Sequence, residues 1–488
     1  MSLHPGHLAP VELDEPDAAR TAEPGLLPAW LRRHAPAVAG ATALLVLALL
    51  GAQSALDSRE RERLTYLADV PGVLSPLHDP PDALWRWAPT AGTFLAGDQA
   101  GRWAIGALYH RGGVDLQGTD PDTGDVLWSV PFSLDAALPP GGRSELPSVW
   151  VRCSAVAAQT PVAVCAAEVS PVGSVGAATP LVVLDPTDGE VLATPAVAAG
   201  SLWSTAGPDL VLAAPEPVDG GGVHWTLSAT DLATGEVAWR RTTSVVPQVH
   251  EVLVGDVVIR STPALTSDDD RVLLTDSGHA WLFGADGAPR GDVTVATDGW
   301  AALARADTLV WTPWQTFTIP AGILVTRDGT RVAVGEGPAT LAVDDGSAPS
   351  TVLLTDTTAG TTLVARDATT GDELWRTDGL TSEPLLVDGA VYLPGVNDVA
   401  AFDARTGQQR WRVDVGGVPL FVGTDGTHVV VLTPDRTLRA LGMADGRPAS
   451  VADVATLLSD DPGGVSAVSE YAGRLLIRFR NGTSLVVG

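Results

Sequence analysis

One nine-residue pattern, D-x-x-T-G-x-x-x-W, constrains this chain more than any other feature. DPDTGDVLW places it on Asp120, Gly124 and Trp128, and DLATGEVAW on Asp231, Gly235 and Trp239. DATTGDELW repeats it on Asp367, Gly371 and Trp375, and DARTGQQRW on Asp403, Gly407 and Trp411. A fifth copy, DPTDGEVLA, keeps Asp185 and Gly189 but loses the Thr and the Trp. Weaker echoes surround Gly287, Gly329 and Gly446. Gly235 and Gly371 lie 136 residues apart (371 minus 235), three intervals of about 45. A period near 45 suits a four-stranded propeller blade and is too long for short solenoid repeats.

The residue types explain the pattern. A short β run, such as VAAF before Asp403, ends at the Asp. Its carboxylate can accept the backbone N–H groups of the turn that follows. The Gly supplies the positive φ that other residues adopt only at a cost. The next strand returns antiparallel and carries the Trp, a large flat side chain suited to the space between neighbouring sheets. These Asp, Gly and Trp residues are therefore expected to be structural blade turns. The segment DALWRWAP (82–89) looks like DELWRTD without a strand before it, and AGRLLIRFRNGTSLVVG ends after two strands. The first is expected to complete the blade of the second, hiding sheet edges. Eight turn signals and a closing blade would make nine. Eight blades are expected, with seven or nine open, one echo near Gly287 or Gly329 being an extra hairpin.

The repeats resemble the PQQ-like propeller repeat of quinoprotein alcohol dehydrogenases and of the assembly factor BamB and its relatives. The resemblance covers roughly residues 80–488, strongest at the four complete motifs and weakest at about 285–345. It implies an all-β, eight-bladed propeller that is usually extracytoplasmic. Fold alone does not imply cofactor binding. The dehydrogenases of the family carry an adjacent Cys-Cys pair, a calcium held by Glu and Asn, and a catalytic Asp. Here Cys153 and Cys165, the only cysteines, are twelve residues apart, and no C-x-x-C-H haem motif is present. No cofactor, metal or catalytic residue is assigned.

The region before the propeller reads differently. Residues 1–33, rich in Pro, Ala, Asp and Glu, are expected to be a disordered cytoplasmic tail. APAVAGATALLVLALLGA (35–52) is eighteen residues without a charge, so 34–56 is expected to be a transmembrane helix. A retained signal anchor is favoured over cleavage at GAQSA, because the preceding segment is long for a signal peptide. Residues 57–79 are expected to be a linker. Arginines flank the apolar run on both sides, so the positive-inside count does not orient it. The cysteines do. Folding SVWVRCSAVAAQTPVAVCAAEV about Gln159 puts Cys153 opposite Cys165, and a cross-strand disulfide persists outside the cytoplasm. Two buried free thiols are the alternative.

The formal net charge of -28 excludes most nucleic-acid partners. All 30 basic residues are Arg, so a phosphate-binding P-loop with its Lys is impossible. The nine His residues form no H-E-x-x-H pair, and no Ser sits in G-x-S-x-G. TSDDDR (266–271) and AVDDGSA (342–348) cluster carboxylates without the calcium-loop spacing and read as solvated loops. Trp311 and Trp314 read as core, and SVADVATLLSD (450–460) as the main helix candidate. The expectation is a non-enzymatic propeller, anchored in the cytoplasmic membrane with its C-terminal domain outside. It would be a scaffold for an envelope protein or surface polymer. The alternatives are a PQQ/calcium-dependent dehydrogenase with a divergent site and a small-ligand-binding sensor.

Overall fold

A computed structural model describes residues 29–78, 80–87, 95–97, 103–110, 113–133, 148–156, 161–170, 179–247, 252–254, 257–259, 263–294, 299–305, 307–313, 322–356, 361–458 and 463–488. Two compact units divide at Arg63 and Leu64.

The turn chemistry read from the motif is present atom by atom. Asp403 Oδ1 accepts the N–H groups of Arg405 and Thr406, at 3.2 and 3.0 Å, and the Thr406 hydroxyl at 2.9 Å. Gly407, at φ +68°, donates its N–H to the Asp403 carbonyl at 2.9 Å. Asp120, Asp231 and Asp367 hold their turns in the same way.

Among the described residues these turns organise nine blades, one more than expected, each with four antiparallel strands; in two of them a further two-residue strand joins the sheet, Val246–Pro247 antiparallel and Val343–Asp344 parallel. Blade 1 spans 95–132, blade 2 148–193, blade 3 202–242, blade 4 264–294 and blade 5 299–334. Blade 6 spans 336–378, blade 7 385–414 and blade 8 421–453. The correction comes from Gly287 and Gly329. Each closes the last two strands of a complete blade, His279–Gly284 with Pro289–Thr294 and Gly322–Val325 with Arg331–Val334. Neither is an extra hairpin. An extra hairpin does exist, Val252–Val254 with Val257–Ile259, in a stretch without any motif.

Blade 9 combines the two ends of the propeller. Val465–Tyr471, Arg474–Phe479 and Ser484–Val487 pair in order, and Ala83–Trp87 adds the fourth strand, with Trp87 opposite Ser484. Asp82 and Gly488 exchange backbone hydrogen bonds of 3.0 and 3.1 Å. The expected closure is thus observed. The middle strands of the later blades are almost entirely apolar, as in Ala390–Pro394 and, after its first residue, His428–Leu432, because both of their faces are covered by neighbouring sheets.

The candidate helix at 450–460 is instead strand up to Asp453 followed by a single 3-10 turn, with 459–460 outside the described residues. Pro448–Asp453 is the outer strand of blade 8, and only Val454–Leu457 turns as a 3-10 helix. Asp453 ends the strand by accepting the Ala455 N–H at 2.8 Å.

The N-terminal helix spans Ala29–Ala68, well beyond 34–56. Among the described residues no helix is long and apolar enough to cross a membrane, so the transmembrane expectation is not supported. The apolar run 35–52 lies partly among residues whose side chains are not described, and the helix continues past it into the charged stretch Asp57, Arg59, Glu60, Arg61, Glu62 and Arg63. The tail at 1–28, and the side chains of 29–43 and Val46, lie outside the described residues. The expected linker is partly helix and partly core: Leu67, Val70, Val73 and Leu74 are buried within the propeller unit.

Candidate functional site

In each blade the turn joining strands one and two lies at the same end as the motif turn joining strands three and four, because alternate turns of an antiparallel sheet share an end. This is called the motif end. Residues 64–75 cross it over blades 7, 8 and 9. Tyr66 Oη donates to the Asp345 carbonyl at 2.7 Å. Val73 bridges Thr424, the Leu74 N–H reaches the Thr424 carbonyl at 2.8 Å, and the Ser75 N–H reaches that of Gly473 at 2.6 Å. A Cβ on Gly72 would meet the Ala342 carbonyl at 2.3 Å, and its φ of +85° also favours glycine there.

The two acidic loops lie at this end, and the carboxylates of Asp268, Asp344 and Asp345 are engaged. Asp268 receives Arg271, which also donates to the Ala304 and Thr308 carbonyls of blade 5. Arg305 holds Asp344 through two nitrogens. Asp345 accepts the Asp388 N–H at 2.7 Å, joining blade 6 to blade 7. Among the described residues no group of three or more metal-ligating side chains converges. These carboxylates tie blades together.

The motif tryptophans tie blades as well. Trp411 donates its Nε1–H to the Met443 carbonyl of blade 8 at 2.9 Å. Trp375 donates to Ala404, Trp239 to Ala285, Trp128 to Pro186 and, across the closure, Trp85 to Pro121. In each case the ring lies over the glycine of the next blade's motif turn: a Cβ on Gly407 would meet Trp375 at 2.4 Å. The sequence placed these rings between blades. It gave no sign of the acceptor, which is a backbone carbonyl. Arg474 adds a side-chain clamp on Asp122 at the closure, at 2.6 and 2.9 Å.

Cys153 and Cys165 lie directly opposite in neighbouring strands of blade 2 and form a disulfide. Both are buried in its core. Trp311 is buried, while Trp314 lies outside the described residues. Among the described residues, the buried acids Asp209, Asp276, Glu336, Asp425 and Glu470 escaped the sequence reading. Glu336 forms an ion pair with Arg366 at 3.1 Å. Glu470 has its carboxyl pushed up by burial.

The family described as "Outer membrane protein assembly factor BamB" matches residues 297–431 and 359–457. The matched stretch, 297–457, is similar to the PQQ-type repeat of that family. Among solved structures, BamB from Moraxella catarrhalis is 17% identical, with 83% of this chain and 99% of that one covered and a TM-score of 0.40. Quinohemoprotein alcohol dehydrogenase from Comamonas testosteroni is 12% identical over 86% of this chain and 80% of that one, with a TM-score of 0.41. Sqt1 from Saccharomyces cerevisiae is 10% identical over 83% and 98%, with a TM-score of 0.37. Identities and TM-scores this low place no functional residue. No curated protein matches the sequence.

The donor set here does not fit the cofactor of the quinoprotein branch. Both cysteines are consumed by a bridge inside one blade, so no adjacent pair can face a quinone. In the acidic loops Asp268, Asp344 and Asp345 are engaged by Arg271, Arg305 and a backbone amide, and among the described residues no three ligating side chains converge.

Proposed function

We propose that this BamB-like propeller is a non-enzymatic scaffold that docks a partner protein of the cell envelope through the sector formed by blades 2 to 4. One observation carries the reading: the two sides of the ring are built differently. Blades 7 to 9 have short turns and are crossed by residues 64–75. Blade 3 instead extends two ten-residue strands, Asp209–Val218 and Gly222–Asp231, to an exposed tip at Asp219–Gly221. The extra hairpin at 252–259 follows in the same sector. Elements that exceed what the fold requires are where binding residues collect.

The name of the matching family, an outer membrane protein assembly factor, is in keeping with this role and with an envelope location. The net charge of -28 favours a partner that presents a basic surface. Attachment through the uncharged run 35–52, with the propeller outside the cytoplasmic membrane, is the finer form of this reading. Carbonate extraction of membranes tests it, since a protein released by carbonate has no spanning segment.

A photo-crosslinking amino acid at Asp219 of the full chain tests the docking sector. Position Val396, an exposed turn of blade 7, is the control. Adducts from 219 and none from 396 are expected. Equal yields from both, or adducts from 396 alone, would overturn the assignment. Dye-linked alcohol oxidation after adding PQQ and calcium would overturn the non-enzymatic reading.

A further inference from the structure

Five seams between neighbouring blades are closed by an indole lying on a motif-turn glycine. The seam between blades 2 and 3 has the same turn without the indole. The residue in the tryptophan's place is Ala193, exposed at the end of the outer strand Val191–Ala193. The glycine it would cover is Gly235, at φ +72°. Among the described residues nothing lies within 4 Å of a Cβ built there. At the preceding seam the equivalent Gly189 is buried, and its Cβ would meet Trp128 at 2.6 Å.

Other seams without tryptophan differ. Between blades 5 and 6, Val332 fills the place, 2.6 Å from a Cβ on Gly371. Between blades 4 and 5 the glycine, Gly329, is open, but the residue before the tryptophan's place is the exposed Arg290, and the exposed Arg331 follows the glycine in its own blade. Of these three, only the 2/3 seam combines an open turn glycine with exposed Val and Leu side chains directly before the tryptophan's place, among the described residues. Val191 and Leu192, the two residues before Ala193 in the outer strand, are 44% and 46% exposed.

We propose that this seam is a receptor for a tryptophan side chain presented by a partner protein. The occupant is specified by the repeat itself, since the same turn receives an indole at five other seams. The ring would lie on Gly235 against Val191 and Leu192. Its N–H would reach the Leu232 carbonyl, which stands three residues before the glycine as Pro121, Pro186, Ala404 and Met443 do at their seams. The exposed Glu190 and Glu236 at its edge favour a basic sequence around that tryptophan. The source of the indole rests on the scaffold reading; the socket does not.

N-acetyl-tryptophanamide, titrated into the full chain and followed by ligand-observed NMR, tests the socket without a partner. Saturable binding is expected. Ala193→Trp, which supplies the missing indole in cis, should weaken it at least tenfold, and Ala193→Ser should leave it unchanged. Leu192→Asp, which removes an apolar side chain and leaves the turn intact, should weaken it as well. The 1-methylindole analogue, without the N–H, should bind several-fold more weakly. Absence of saturable binding, or binding unchanged in Ala193→Trp and Leu192→Asp, overturns the proposal. Binding of the amide together with no crosslinks from position 219 would instead sink the scaffold reading and leave the socket standing.

Discussion

The seam between blades 7 and 8 and the seam between blades 2 and 3 use the same turn and are held differently. At the first, Trp411 is buried, donates to Met443 and covers Gly446. At the second, Ala193 leaves Gly235 bare. Yet both are continuous parts of one ring. Blade 2 is instead fastened toward its inner edge. Ser154 Oγ meets Thr205 Oγ1 of blade 3 at 2.8 Å, and Ser204 Oγ meets Ser267 of blade 4 at 2.5 Å. Blade 2 also carries the disulfide. The indole is therefore a local fastener that a blade can lack when its inner strands are tied.

The largest effect should follow removal of a fastener where it exists. Trp411→Ala is expected to cost about 3–5 kcal/mol, the usual loss for a buried tryptophan. Urea unfolding measures it. Trp411→Phe should cost less, about 1–3 kcal/mol, because an aromatic ring remains although part of the bicycle and the N–H donor to Met443 are lost. If Trp411→Ala proves no worse than an exposed substitution such as Val396→Ala, the seam does not depend on its indole.

On the other side of the ring the disulfide should matter most. Replacing Cys153 and Cys165 by Ala is expected to cost about 3 kcal/mol, the scale set by closing a short loop. The loss should be read out by hydrogen exchange and concentrate in blade 2, whose outer strand is only three residues long. Uniform loss of protection around the ring would show that the 2/3 seam is held as firmly as the 7/8 seam.

The repeat made much of this fold legible. The Asp and Gly of each motif announced their turns, and the two ends announced their shared blade. Cys153 and Cys165 announced their register by symmetry about residue 159. The blade count was misjudged because Gly287 and Gly329 lack the tryptophan four residues on, having Gly291 and Ala333 there. The fold requires the turn glycine, whereas the tryptophan is one of several ways to fill a seam. The hairpin at 252–259 has no repeat to reveal it. The burial of Leu67 and Val70 was hidden because they follow a charged helical stretch that reads as a spacer. The open seam at Gly235 was invisible for a different reason. Its motif is complete, and the missing residue stands at 193, in the preceding blade.

A smaller contrast isolates the contact between indole and glycine. Gly407→Ala must accommodate both a positive φ and a Cβ meeting Trp375 at 2.4 Å. Gly235→Ala meets only the positive φ. The backbone term is about 1–2 kcal/mol at either site, and overpacking adds about 1–3 kcal/mol at Gly407 alone. Equal costs in thermal unfolding would mean that the 2/3 seam is filled in solution.

The smallest effect is one of pH. The Arg410 guanidinium beside Asp403, helped by the Thr406 and Arg405 amides, holds its carboxyl at about 2, against an ordinary 3.8. A carboxyl lowered in the folded state contributes stability that is present above the unfolded value and lost as pH falls through the folded one. The window is therefore about pH 4 down to 2. Asp231, at the open 2/3 seam, is also lowered, first by the Thr234 amide and then by its hydroxyl, with no arginine contributing. Asp403→Asn should flatten the decline of the urea midpoint between pH 4 and 2 more than Asp231→Asn does. Salt should narrow the difference, because the Arg410 pair is partly exposed and screened. A larger flattening for Asp231→Asn would show that the turn amides, rather than the arginine, set the acid response of these blades.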